Sequence, residues 1–134
     1  MTMGGLNTMS DQQVTMMREI PQPSRGEVWL VAMGAARKGE LGKNRPAVVV
    51  SREELLTGSR YDHITIVPLS ASRPPKPLQP PVEQAVGLDR DSVAVCDFPR
   101  SFVPSRFLRY LGNVSGETMA NIALSRAIIE GWTG

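Results

Sequence analysis

Histidine and cysteine are almost missing from the 134-residue chain, which holds one of each, His63 and Cys96. Zinc sites need several such ligands, and His- or Cys-centred catalysis needs a partner for each, so both chemistries are close to excluded. A single cysteine also rules out an internal disulfide framework and fits a reducing cytoplasm. Aromatic residues make up only 5% of the chain. No run of about 18 apolar residues occurs, so no membrane span is expected. The first residues lack a basic segment followed by an apolar one, which argues against a signal peptide. Net charge is low, +2 from 15 Lys+Arg and 13 Asp+Glu, while 41% of residues are apolar. That balance excludes disorder throughout, and the length suits one domain with one modest core.

Residues 1–24 read as an arm ahead of a domain at 25–134. Most of the seven methionines lie in it, with Gly4, Gly5, Pro21 and Pro23. Two readings stay open: a short helix with Ser10 and Gln13 as a capping box and Val14, Met17 and Ile20 on one side, or a mobile extension. Strands are expected at 26–32 (GEVWLVA), 45–51 (RPAVVVS), 63–69 (HITIVPL), 82–86, 92–96 and 108–114. The three valines of the second are apolar on both faces, as in a core strand, and Pro46 belongs at its start. Residues 34–44 form a connection too long for a tight hairpin, and 52–60 a helical turn or loop. The five prolines of RPPKPLQPP (73–81) force an extended loop. Ser115 caps a helix over 116–130, with Met119, Ile122, Ala123, Ala127 and Ile128 or Ile129 as its apolar stripe and Gly131 as its stop. Short strands, long loops and one terminal helix predict a mainly β fold: a small barrel with a C-terminal helix.

Charge is unevenly spread. Residues 36–52 carry Arg37, Lys38, Lys43, Arg45 and Arg52 against Glu40 alone, and residues 98–110 carry Arg100, Arg106 and Arg109 without an acid, interleaved with Phe98, Phe102, Phe107 and Tyr110. Cationic loops with aromatic faces suit a single-stranded nucleic acid. A solvated surface with the aromatics in the core explains the same composition equally well. Arg45 is more specific, because an arginine on the first residue of a buried strand is held rigidly by the strand behind it; a Glu40–Arg45 surface ion pair is the plainer account. Ser70, after the third strand, projects a hydroxyl beside Arg45 if the two strands are neighbours, although a serine there is more often a turn residue. Asp97 follows a short strand and is placed to reach the same mouth, or serves only its turn.

Taken in order, RGEVWLV (25–31), GELGKNRPAVVVS (39–51), ITIVPLS (64–70), DSVAVCDFPRSF (91–102) and YLGNVSGETMANI (110–122) resemble the MazF/PemK (Kid) toxins of type II toxin–antitoxin modules. The resemblance implies a homodimeric SH3-like barrel that cleaves single-stranded mRNA at short sequences, without metal or other cofactor, by attack of a ribose 2′-hydroxyl on the adjacent phosphate. It places Arg45 at the scissile phosphate, Ser70 as the hydroxyl after the third strand, Glu40 as the acid of the first long loop and Asp97 in the Cys-Asp-x-Pro-Arg segment. Lys38, Lys43, Asn44, Arg73, Lys76 and Arg100 are then the candidate RNA contacts. Gly39, Leu41 and Val95 depart from residues found in relatives. The resemblance further implies an antitoxin whose acidic, disordered C-terminal segment folds across the cationic mouth and an apolar groove.

Proton transfer narrows the assignment. A guanidinium is permanently charged and suits phosphate oxygens better than proton exchange, so Glu40 or Asp97 is the candidate base. The alternative to the ribonuclease is a non-catalytic toxin on the same barrel that binds a protein such as DNA gyrase. A plain RNA-binding domain is the blandest reading.

Overall fold

The computed structural model describes residues 21–34, 43–56, 62–83 and 87–132. The expected arm helix and the loop residues Lys38, Gly39, Glu40 and Leu41 lie outside them. The described strands are β1 (Glu27–Ala32), β2 (Asn44–Val49), β3 (Ile64–Ser70), β4 (Pro81–Val82), β5 (Ser92–Ala94), β6 (Arg100–Phe102) and β7 (Phe107–Asn113). Among the described residues, two α-helices accompany them, the single turn α1 (Glu53–Leu56) and the terminal α2 (Gly116–Glu130). The strands pair in the order β4-β5-β3-β2-β1-β7, with β6 also on β3. All pairs are antiparallel.

β2 is the middle of this arrangement. Trp29 and Ala47 pair on one side, Ala47 and Pro68 on the other. Ala47, Val48 and Val49 are fully buried, which accounts for the unbroken apolar run where a one-sided strand would alternate. The pleat divides their side chains between two cores. Val48 joins Val28, Val67, Leu69, Leu88 and Ile122 in one cluster. Ala47 and Val49 join Val31, Ile64, Ile66, Phe102 and Phe107 in the other. The single core expected from length is therefore two, one on each face of a sheet that curls.

β3 links the two halves. Its first part pairs with β6 (Ile64 with Phe102) and its last residues with β5 (Ser70 with Val93). Pro68 stands at the change of partner, where a missing N–H is tolerated, and its carbonyl accepts from the Val95 N–H at 2.8 Å. The β1–β7 ladder shifts register twice, between Val28 and Trp29 and between Leu30 and Val31. Such bulges bend and twist a strand pair.

α2 begins and ends as its sequence dictates. Ser115 Oγ accepts from the Thr118 N–H at 3.1 Å, and Gly131 closes the helix in the left-handed region at φ 79°. Its stripe is narrower than expected: Ile122 is buried and Met119 and Ile129 half-buried, while Leu124 and Ile128 face solvent. Three other expectations are corrected. Residues 98–110, read as a cationic loop, contain β6 and the start of β7, and Phe102 and Phe107 are core residues. Of the expected strand at 82–86, Val82 belongs to β4 and Glu83 already lies beyond it; residues 84–86 lie outside the described residues. His63 precedes β3 and contacts its neighbour Asp62 at 2.7 Å.

Gly87 holds the turn into β5. Its φ is +86°, and a Cβ there would lie 2.2 Å from the Leu111 carbonyl oxygen on β7. Gly87→Ala is expected to destabilise the protein by more than about 1 kcal/mol, since both backbone strain and a rigid neighbour oppose it. The check is a lowered urea midpoint at unchanged m.

Candidate active site

The first connection opens and closes through its backbone. Met33 N–H donates to the Lys43 carbonyl at 2.9 Å, and Lys43 N–H donates to the Gly34 carbonyl at 2.7 Å. This closure puts Lys43 at φ 62°, a left-handed conformation uncommon for a side-chain-bearing residue. Lys43, Asn44 and Arg45 follow one another into β2. Arg45 pairs across β1 with Val31, a fully buried residue, so its backbone is fixed by the core.

Arg45 is half-buried at the mouth of a basin of about 350 Å³. One wall is Lys43, Asn44, Arg45 and Pro46; the other is Leu88, Asp89, Arg90 and Ser92, with Leu69 and Ala71 from the end of β3. Three cations and one carboxylate line the basin around an apolar floor. Such a basin accepts an anion carrying a flat, partly apolar body.

Ser70 stands between Leu69 and Ala71 in sequence but does not line the basin as they do. The β2–β3 ladder ends at Ala47 opposite Pro68, and Ser70 pairs instead with Val93 of β5. The hydroxyl does not project as expected either. Ser70 is 1% exposed and its Oγ lies 3.2 Å from the Ser72 Oγ.

The remaining candidates form a second group. Asp97 is exposed and accepts from Gln79 Nε2 at 2.8 Å, which ties the turn after β5 to the proline-rich loop. Arg73 sits over the Phe98 ring at 5.6 Å, a second tie of the same loop. Arg126 of α2 donates to the Cys96 carbonyl at 2.6 Å and anchors that turn from below. Lys76 is an exposed residue of the loop, bridged through its backbone to Gln79. Arg100 packs on Phe102 at 4.8 Å, and Arg106 packs on the same ring at 5.3 Å. The aromatics of this stretch thus serve the core and the arginines; the open stacking faces expected of Phe102 and Phe107 are absent. Asp97 does not line the Arg45 basin.

The family of PemK-like, MazF-like toxins of type II toxin–antitoxin systems matches residues 24–129. The chain belongs to this family. It is 35% identical over 103 residues, 73% of its length, to the endoribonuclease MazF9 of Mycobacterium tuberculosis, of which 87% is covered. Solved folds agree. An endoribonuclease from a mycobacterial species, in complex with its cognate antitoxin, superimposes with TM-score 0.68 at 20% identity, covering 84% of this chain and 98% of that one. MazF from Deinococcus radiodurans superimposes with TM-score 0.65 at 24% identity, covering 81% and 96%. The mainly β architecture with a C-terminal helix is therefore that of the MazF toxins.

Of the residues that depart from those in relatives, Val95 is among those described and sits where an apolar side chain fits. Val95 is fully buried, and its N–H is spent on Pro68. Sequence reasoning missed Asp89 and Arg90, which fall between the expected strands at 82–86 and 92–96. Their composition carries no signal; only closure of the sheet brings that turn to Arg45. No group of three or more His, Cys, Asp or Glu among the described residues is placed to hold a metal.

Cys96 sits one residue before Asp97 and is fully buried. Burial pushes its thiol up from an ordinary 9.0 to about 11; Arg126 opposes the shift and Asp97 adds to it. The thiolate is scarce at neutral pH, so Cys96 is no nucleophile. A raised folded value favours the fold fully below about 9, and this contribution is lost as pH climbs through about 11. Alkylation at pH 8 should therefore be slow in the native protein and fast in urea. Rapid native alkylation would contradict this burial.

Proposed function

We propose that the chain is an endoribonuclease toxin that cuts single-stranded RNA in the cytoplasm, with residues 25–134 as its toxin domain. One observation carries this reading: in a chain of the MazF family, Arg45 is fixed by a core strand at the mouth of a cationic basin.

The chemistry follows from charge. The 2′-hydroxyl oxygen attacks the adjacent phosphorus, a new 2′-oxygen–phosphorus bond forms, and the bond to the 5′-oxygen breaks. The strand is left with a cyclic phosphate and a 5′-hydroxyl. Arg45 stabilises the charge that gathers on the non-bridging oxygens, as its planar fork and permanent charge suit. Lys43 and Asn44 steer the strand into place. Glu40 takes the 2′ proton, since Asp97, the other carboxylate considered, does not line the basin; a water molecule gives a proton to the leaving 5′-oxygen, and the basin holds the attacking and leaving oxygens in line. A neutral hydrogen bond from Ser70 to the phosphate requires its hydroxyl to turn away from Ser72. Because its hydroxyl is buried and already engaged by Ser72, it contributes less than Arg45. Arg73, Lys76 and Arg100 guide the flanking RNA.

A cognate antitoxin and a second copy of the chain complete the assembly. Solved relatives include an endoribonuclease with its antitoxin. Here an apolar groove of about 430 Å³ between α2 and the end of β2 is lined by Val50, Leu55, Met119, Ile122 and Trp132 and rimmed by Arg25, Arg52 and Arg126. An antitoxin segment that is both acidic and apolar suits such a groove.

Wild-type protein incubated with long RNA in EDTA should give discrete cuts by primer extension. Arg45→Ala should slow cutting by at least about 100-fold, as loss of a charge-stabilising group does. Ser70→Ala should cost about tenfold. Uncut RNA with growth arrest would instead favour the non-catalytic toxin. Equal cutting by Arg45→Ala would overturn the mechanism.

A further inference from the structure

Building on the RNA-cleavage reading, we infer that Arg90 is a second phosphate clamp, facing Arg45 across the basin and gripping a linkage that flanks the cut. The wall that carries it is built rather than incidental. Leu88 is buried in the same cluster as Val28, Val48 and Leu69, all three β-sheet residues. Gly87 presses its backbone against Leu111, so the turn has no room to drift toward β7. Ser92, where β5 begins, donates its hydroxyl to the Arg90 carbonyl at 3.2 Å. Three anchors thus fix the backbone on either side of Arg90.

The side chain itself is exposed, and among the described residues it has no hydrogen-bond or ion-pair partner. An arginine presented on a rigid support without a partner is available to an anion from solution. The basin decides which anion. Lys43 and Arg45 stand on the opposite wall, and Pro46, Leu69 and Leu88 lie between. A strand whose scissile phosphate rests on Arg45 lays a nucleoside over this apolar floor and brings the neighbouring phosphate to Arg90. Two cations separated by an apolar floor match two phosphates separated by a nucleoside. A lone small anion would use only one of them.

The test is a phosphate scan. Uncleavable RNA, with a 2′-deoxy residue at the mapped cut site, carries a single neutral methylphosphonate moved along the linkages. Binding is read by fluorescence anisotropy. Wild-type protein should lose about tenfold at one linkage adjacent to the cut. Arg90→Ala should bind the unmodified RNA about tenfold more weakly and lose nothing further at that linkage. Its salt dependence should flatten by about 0.7 in log K against log salt, the share of one phosphate on a single strand. Arg90→Lys should restore that slope. An Arg90→Ala protein that keeps the wild-type slope, or loses as much as wild type at every linkage, overturns the inference. Wild-type protein that neither binds nor cuts RNA sinks the cleavage reading instead, so the two failures are distinguishable.

Discussion

The β2–β3 ladder is the constraint on which the rest depends. Ala47, Val48 and Val49 fill both cores at once, so β2 has no freedom to slide by one residue without turning valines to the wrong side. That rigidity reaches the end of the strand. Arg45 stands two residues beyond Ala47, on the same face, with buried Val31 as its neighbour on β1. A charge placed by a core costs little further ordering when an anion arrives. On a loose loop the same guanidinium would be localised only on binding.

The basin gathers like charges, and such clusters oppose folding through repulsion. The structure tolerates Lys43, Arg45 and Arg90 together because each is attached to something apolar beneath it. Pro46 supports one wall, and Leu88, packed with Leu69, the other. The driving force comes from burial, and the charges are carried at the rim of the basin.

A second device holds the far side. The proline-rich loop has little secondary structure of its own, yet Gln79 fastens it to Asp97 and Arg73 fastens it to Phe98. α2 supports the same turn through Arg126. Prolines lower the entropy lost when the loop docks, so a few contacts suffice to hold a long segment in place. A change in this loop would therefore act on the Asp97 turn while leaving Arg45, held by β1, where it is.

Local sequence was enough to mark the elements. Val-Val-Val after Arg-Pro, the alternation of Ile64 to Leu69, the Ser115 cap and the Gly131 stop each rest on nearest-neighbour sterics or hydrogen bonds, and each has a described counterpart. The order of family-like motifs likewise pointed to the toxin fold before any tertiary contact was known. Three things needed the folded chain. β6 was hidden because Arg-Ser-Phe has no strand pattern of its own and forms one only against Ile64–Ile66. Ser70 is buried by its surroundings, which its position after a strand does not foretell. Arg90 joined Arg45 through contacts between residues far apart in sequence. Propensity and capping act over a few residues, whereas burial and charge clustering depend on which distant segments the sheet brings together.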